Sequence, residues 1–117
     1  MAVYVDDMRW PATVGRVNGV WSHLMADTSE ELHAFAARLG LRREWVQHEG
    51  LATEHYDVTE PKRQLAIRLG AEPIVYITEG ARLTRAKRAG ERFDLHAVRA
   101  EVADDTWSVA GEQLRLL

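Results

Sequence analysis

The segment DTSEELHAFAARLG at residues 27–40 recurs with the same spacing as DVTEPKRQLAIRLG at residues 57–70. The two copies are identical at the Asp, Glu, Ala, Arg, Leu and Gly positions. Each begins with residues that favour a helix N-cap and ends in a glycine, which readily adopts the left-handed conformation that stops a helix. The repeat therefore predicts two short helices, from about Glu30 to Leu39 and from about Glu60 to Leu69.

Local signals support both helices. Thr28 and Glu31 have the spacing of a capping box, in which each side chain satisfies a free backbone N–H of the other. Thr59 is the cap of the second helix, and Pro61 falls in its first turn, where a missing N–H is harmless. We expect Gly40 and Gly70 to have positive φ angles.

Three short apolar segments surround the predicted helices, at Val3–Val5, Glu44–Gln47 and Ile74–Ile77. The order strand, helix, strand, helix, strand favours a parallel sheet with right-handed crossovers. Before the first helix, Asn18-Gly19 lies between apolar residues and predicts a two-residue hairpin turn or a mobile flap. The predicted fold is a small two-layer or three-layer α/β domain, with a mainly parallel sheet and short crossover helices.

Composition limits the class of protein. A chain of 117 residues with 46% hydrophobic residues fits a single domain, and a net charge of −3 argues against general binding of polyanions. The absence of cysteine excludes disulfides, a thiol nucleophile and cysteine-ligated zinc. Neither a signal peptide nor a membrane span is evident, so we expect a cytoplasmic protein without a membrane partner.

Polar residues concentrate where the predicted strands end and the predicted helices begin. In a parallel sheet these positions share one edge, and ligands bind in the crevice there. The residues expected at this edge are Asp6, Asp7, His23, Asp27, Gln47, His48, His55, Asp57, Lys62, Arg63, Thr78 and Glu79.

Imidazole and carboxylate groups are ligands for Zn²⁺, Mn²⁺ or Mg²⁺, and such a cation activates water and polarises a phosphoryl oxygen. We predict Asp6, His23, Asp27, His55 and Asp57 as metal ligands. Asp6, His55 and Asp57 would also be catalytic, with Lys62 stabilising developing charge and Arg63 binding phosphate.

Each feature also has a purely structural interpretation. Asp27 and Asp57 could simply cap helices, and His33 lies off the apolar stripe of its helix and could face solvent. Trp45 could pack in the core, and the basic run at 82–92 is more typical of a solvated helix face than of a nucleic-acid contact. There is no P-loop, G-x-G-x-x-G, G-x-S-x-G or His-Glu-x-x-His motif, which argues against the common nucleotide-binding and hydrolase classes.

The ordered motifs VYVDD at 3–7, HLMAD at 23–27, WVQ at 45–47, HYDV at 55–58 and KR at 62–63 resemble a bacterial and phage family, domain of unknown function 4031. The resemblance covers residues 1–78 and implies no activity. It marks the same polar set, and adds His33 to the predicted metal ligands and Trp45, Gln47 and Tyr56 to the predicted substrate-binding residues. Residues 79–117 would then be a basic segment and a C-terminal extension to this core.

The function that these residues favour is metal-dependent hydrolysis of a phosphoester in a nucleotide or nucleic acid. Two alternatives stay open: a module that binds a nucleotide-like ligand without turnover, and a structural or partner-binding homodimer. Residues 93–117 contain Trp107, Leu114, Leu116 and Leu117, which we expect to pack on the domain or across a two-fold dimer.

Overall fold

The computed structural model describes residues 2–101. Five strands form one sheet: β1 (Val3–Val5), β2 (Trp10–Val14), β3 (Val17–Ala26), β4 (Tyr56–Thr59) and β5 (Glu72–Pro73). The helices are α1 (Ser29–Arg38), α2 (Glu60–Arg68), α3 (Ala81–Ala89) and α4, whose described part is 95–101. A 3₁₀ turn lies at Arg43–Trp45 and a π-helical turn at Tyr76–Gly80.

The sheet is mixed, and the prediction of a mainly parallel sheet is wrong. Strand β3 is antiparallel to β1, β2 and β4, and only the β1–β5 pair is parallel. The physical reason is the hairpin before α1, because its two-residue turn returns the chain beside β1 in the opposite direction. The strand predicted at 44–47 is also wrong, because Arg43–Trp45 form a 3₁₀ turn. The apolar run at 74–77, predicted as the third strand, leads instead into the π-helical turn.

The hairpin turn lies at Gly15-Arg16, where Gly15 has a φ of +61°, and not at the predicted Asn18-Gly19. Asn18 and Gly19 are inside β3, paired with Thr13 and Ala12. Both pairs of residues allow a tight turn, but the glycine at position 15 supplies the positive φ that this turn uses.

The two repeated segments form helices as predicted. The Thr28 hydroxyl accepts a hydrogen bond from the Glu31 backbone N–H at 3.2 Å, which caps α1. The φ angles of Gly40 and Gly70 are +79° and +109°, so both glycines end their helices in the predicted way. The Thr59 side chain makes no capping bond, although its backbone is extended at the start of α2.

Helices cover both faces of the sheet. Tyr4 and Val5 are consecutive in β1 and therefore point to opposite faces. Val5 belongs to a buried cluster with residues of α1 and α2, and Tyr4 to a second cluster that contains Leu83 of α3 and Val98 of α4. The domain is therefore of the three-layer kind, and none of its helices within residues 2–101 is long and apolar enough to cross a membrane.

The start of the C-terminal segment packs on the sheet domain, as predicted. Phe93 and Val98 are buried, and the rings of Phe93 and Tyr4 meet edge to face with centroids 5.4 Å apart. Trp107, Leu114, Leu116 and Leu117 lie outside the described residues.

Candidate metal site

The carboxylate of Asp6 fixes the imidazole of His23. Asp6 follows β1 directly, and the antiparallel pairing of β1 with β3 places it beside His23. One Asp6 oxygen accepts the His23 backbone N–H at 2.9 Å, and the other lies 2.7 Å from His23 Nδ1. The Asp6 side chain is fully buried. Because a carboxylate accepts hydrogen bonds, Nδ1 of His23 is the donor and Nε2 is left free.

His55 and Asp57 reach the same place from the other side of β3. Asp57 pairs with His23 in the register of β3 and β4. His55 is two residues earlier, so its side chain lies on the same side of the strand as that of Asp57. His55 Nε2 is 3.4 Å from an Asp57 oxygen, and the rings of His23 and His55 lie 4.8 Å apart between centroids.

Further hydrogen bonds hold these groups in place. His55 Nδ1 lies 2.7 Å from the Thr53 carbonyl oxygen, which can only accept, so Nε2 of the neutral ring carries the lone pair. The Gln47 side-chain amide donates to the second oxygen of Asp57. Histidines that bind metals usually donate their other ring N–H to a carboxylate or a carbonyl in this way.

One potential ligand atom from each of His23, His55 and Asp57 lies within 4.8 Å of the others. Two imidazoles and one carboxylate match the donor set of catalytic zinc sites, which keep a fourth position for water. Among residues 2–101, this is the group of histidines and carboxylates with spacing suited to a metal ion.

His55 and Asp57 shift each other's pKa. Burial lowers the pKa of His55, but hydrogen bonds to Asp57 and to the Thr53 carbonyl outweigh it, so the pKa lies above its usual 6.5. The hydrogen bond from His55 lowers the pKa of Asp57 below its usual 3.8, against the effect of burial and with the help of Gln47. The Asp57 carboxylate thus attracts positive charge to His55 Nε2, and a proton or a metal cation can supply that charge.

A cavity of about 570 Å³ opens beside this group. Ligand pockets commonly have this size. It is lined by Asp6 directly after β1, by strand β3, by the loop that contains His48 and Thr53, by the π-helical turn and by α3. The lining residues with polar side chains are Asp6, His23, His48, Thr53, His55, Tyr76, Thr84 and Arg88, and the others are Met25, Ile77, Gly80 and Ala81.

His48 lines the cavity; the sequence placed it at the ligand-binding edge but did not include it among the predicted catalytic, substrate-binding or metal-binding residues. Its φ is +53°, which is uncommon for a residue with a side chain, and its ring lies 5.3 Å from that of His55. His48 Nδ1 is 2.9 Å from the Thr53 hydroxyl. Backbone strain of this kind clusters at functional sites, and here it aims a third imidazole at the cavity.

Two predicted phosphate-binding residues make structural contacts instead of lining the cavity. Lys62 Nζ donates to the Leu39 carbonyl oxygen at the end of α1, at 2.5 Å. Arg63 is buried and donates to the Asp6 carbonyl oxygen at 2.7 Å. The long side chains of both residues reach back over the protein, so proximity to a helix N-terminus did not determine where their charges lie.

His33 and Tyr56 belong to a second group of polar residues, which also contains Glu54. The Tyr56 hydroxyl is 2.8 Å from His33 Nδ1, and His33 Nε2 is 3.8 Å from buried Glu54. Glu54 also accepts hydrogen bonds from Ser29 and from the Gly50 N–H. This network ties the loop before His55 to α1, so the predicted ligand His33 is not part of the His23–His55–Asp57 group.

Asp27 and Trp45 also lie outside the cavity lining. Asp27 accepts hydrogen bonds from the Ala2 N–H and the Tyr4 hydroxyl, at 2.8 and 2.9 Å. Trp45 is half exposed on the 3₁₀ turn, with the Arg42 guanidinium over its ring. The structure therefore brings together Asp6, His23, Gln47, His55 and Asp57. The predicted site residues Asp27, His33, Trp45, Tyr56 and Lys62 make other contacts, and Arg63 contacts this group at the Asp6 backbone carbonyl.

The sequence also placed no site residue beyond Glu79, whereas Gly80, Ala81, Thr84 and Arg88 line the cavity. The signal for Arg88 was its position in the basic run, four residues after Thr84 on one helix face. The direction of that face depends on how α3 packs, which is a tertiary property.

The chain belongs to the family described as Protein of unknown function (DUF4031), whose model matches residues 3–87. The match extends past the predicted limit at residue 78 and includes the π-helical turn and most of α3. The matched segment therefore contains His23, His55, Asp57 and the cavity-lining residues apart from Arg88. No curated protein and no solved structure matches the chain.

Proposed function

We propose that this protein is a metal-dependent phosphoester hydrolase whose divalent cation is held by His23, His55 and Asp57. The observation that carries the proposal is the spacing of these three side chains, each oriented by a further hydrogen bond, beside a cavity that His23 and His55 line. Two imidazoles favour Zn²⁺ or Mn²⁺ over Mg²⁺, which prefers oxygen ligands and water.

Hydrolysis of a phosphoester needs an activated water molecule and a positive charge that stabilises the phosphate. A divalent cation held by His23, His55 and Asp57 would act as the Lewis acid that activates water for attack on phosphorus. In the proposed hydrolysis the water oxygen would bond to phosphorus, the ester P–O bond would break, and the leaving oxygen would take up the proton that the water releases. Arg88 supplies positive charge in the same cavity.

Asp6, Thr53 and Gln47 orient the metal ligands in this proposal. Asp6 and the Thr53 carbonyl fix the ring nitrogens of His23 and His55, and Gln47 holds one oxygen of Asp57. None of these three contacts requires the cation, so the ligands are preorganised before it binds.

Metal binding is tested by titration calorimetry and thermal shift with Zn²⁺, Mn²⁺ and Mg²⁺ on the full chain. A cation present at 100 times its Kd stabilises the folded state by about 2.7 kcal/mol. We expect Asp57→Asn and His55→Ala to abolish this stabilisation. His96→Ala is the matched control, because His96 is exposed on α4 and does not line the cavity.

Turnover is tested by phosphate release from a panel of phosphomonoesters and phosphodiesters with the metal-loaded protein. Release that depends on the metal and is lost in Asp57→Asn supports the hydrolase. Metal binding without release from any ester favours a binding module, and the absence of both overturns the proposal.

A further inference from the structure

One wall of the cavity carries exposed apolar surface next to the metal group. Tyr76 and Ile77 are consecutive in the π-helical turn, line the cavity, and are 41% and 78% exposed. Phosphate and metal coordination need no apolar surface, so these side chains have no role in the hydrolytic group itself. Met25 and Ala81 continue the same apolar lining.

The ring of Tyr76 is held in a fixed orientation. It stacks on the His23 imidazole with an interplanar angle of 28° and centroids 5.5 Å apart. Its backbone N–H donates to Asp7 at 2.8 Å, so the turn is tied to the end of β1. His23 stacks on one face of the ring, and Tyr76 is still 41% exposed, so it keeps surface that a ligand can contact.

The other end of the turn is tied down as well. Glu79 accepts the Val75 N–H at 2.9 Å, and the Arg99 guanidinium donates to Glu79 at 2.9 Å. The exposed aromatic surface is therefore a rigid platform, and a ligand that stacks on it loses little free energy to ordering.

The polar part of the cavity suits a phosphate. Thr84 and Arg88 are four residues apart on α3 and both line the cavity, so a hydroxyl and a guanidinium share one helix face. Arginine binds phosphate through paired N–H donors. A single cavity is thus lined by the apolar platform, by Thr84 and Arg88, and by the candidate metal ligands His23 and His55.

We infer that the ligand of this cavity is a nucleoside monophosphate, with its base on Tyr76 and Ile77 and its phosphate held by Arg88 and Thr84. This inference rests on the proposed function and names its substrate class. A sugar phosphate would leave the platform unused, and the phosphates of an inorganic polyphosphate would meet an apolar wall.

The test compares adenosine 5′-monophosphate with glycerol 3-phosphate, which has no ring, on the full chain loaded with Zn²⁺. Stacking of a base on an aromatic side chain is strong enough that its loss should lower kcat/KM about tenfold. We expect Tyr76→Ala to lower kcat/KM about tenfold more for the nucleotide than for glycerol 3-phosphate. Tyr76→Phe is the matched control, because it keeps the ring.

A second variant tests the platform without removing the ring that stacks on His23. Ile77→Ser changes apolar surface that is 78% exposed, and so should leave folding and Zn²⁺ affinity unchanged while weakening nucleotide binding. Arg88→Gln should weaken binding of adenosine 5′-monophosphate but not of adenosine. Arg85→Gln is its control, since Arg85 is exposed on the same helix and does not line the cavity.

The outcomes separate this inference from the proposed function. Equal hydrolysis of both esters, unaffected by Tyr76→Ala and Ile77→Ser, overturns the nucleotide and leaves the hydrolase standing. Tyr76-dependent binding of the nucleotide without phosphate release supports the ligand and overturns the hydrolase. Absence of nucleotide binding, or preference for a short single-stranded oligonucleotide over the mononucleotide, overturns the inference.

Discussion

His23 and Asp57 face each other across the β3–β4 pair, and this register builds the candidate metal site. His55 joins them because alternate residues of a strand share a face. A slip of one residue between β3 and β4 would move Asp57 away from His23. The core side chains Leu24, Tyr56 and Val58 resist that slip, since it would expose them.

Asp6→Asn should weaken Zn²⁺ binding more than Asp7→Asn. Asp6 accepts from His23 through both oxygens, and an amide there would place an N–H₂ group against a donor in a fully buried position. Loss of such an orienting partner lowers metal affinity by roughly 10- to 100-fold. Titration calorimetry measures the change.

Asp7→Asn is the control, because the amide oxygen can still accept the Tyr76 N–H. Equal affinities for the two variants would show that Asp6 does not orient His23 for metal binding.

Lys62→Met tests whether Lys62 is catalytic or structural. Its ammonium group donates to the Leu39 carbonyl at the end of α1, where a positive charge stabilises the helix dipole. We expect a loss of about 1 kcal/mol in the free energy of unfolding and no change in Zn²⁺ affinity. Urea unfolding and calorimetry measure the two quantities. A large loss of phosphate release in a variant of normal stability would show that Lys62 is catalytic, as the sequence predicted.

Glu79 should make stability depend on acid pH. Burial raises the pKa of Glu79, but hydrogen bonds from Arg99 and the Val75 N–H outweigh it, so the pKa lies below its usual 4.5. A carboxyl whose pKa is lowered on folding stabilises the protein above 4.5, and that contribution is lost as the pH falls through the folded-state pKa.

Glu79→Gln should therefore lower the free energy of unfolding at pH 7 by about 1 kcal/mol, a modest value because Arg99 is partly exposed to solvent. The difference from the wild type should shrink below pH 4.5. Glu101→Gln is the control, since its pair with Arg82 is exposed on both sides. A difference that grows in acid would contradict this assignment.

Removal of residues 91–117 should lower the melting temperature more than removal of 102–117. The longer deletion removes Phe93 and Val98 from the cluster around Tyr4, and removes Arg99 from Glu79. Because Glu79 holds the turn that contains Tyr76, binding of adenosine 5′-monophosphate should weaken too. Equal melting temperatures for the two truncations would show that α4 contributes nothing to stability.

Local chemistry explains which parts of the fold were predictable. The capping residues and terminal glycines of the repeat act within one turn of the chain, so the bounds of α1 and α2 follow closely from sequence. The turn at Gly15-Arg16 was missed because Asn18-Gly19 has equally good turn chemistry, and pairing with β2 decides between them. The direction of β3 was missed because it also depends on pairing with other strands and not on the local sequence.

The candidate site was predictable in residue type more than in arrangement. The spacing of His55 and Asp57 on one strand is local, and their contact follows from it. Lys62 and Arg63 are local neighbours of the same strand, but their long side chains contact Leu39 and Asp6 through the tertiary structure.

By itself the sequence determined the two helices that end in glycine, the two-residue spacing of the His55–Asp57 pair and membership of the DUF4031 family. Only the tertiary structure decided that β3 runs antiparallel, that His23 joins His55 and Asp57, and that α3 and the π-helical turn close the cavity. Capping and strand alternation act between near neighbours in the chain. Convergence of distant side chains depends on strand register and core packing, which no local pattern encodes.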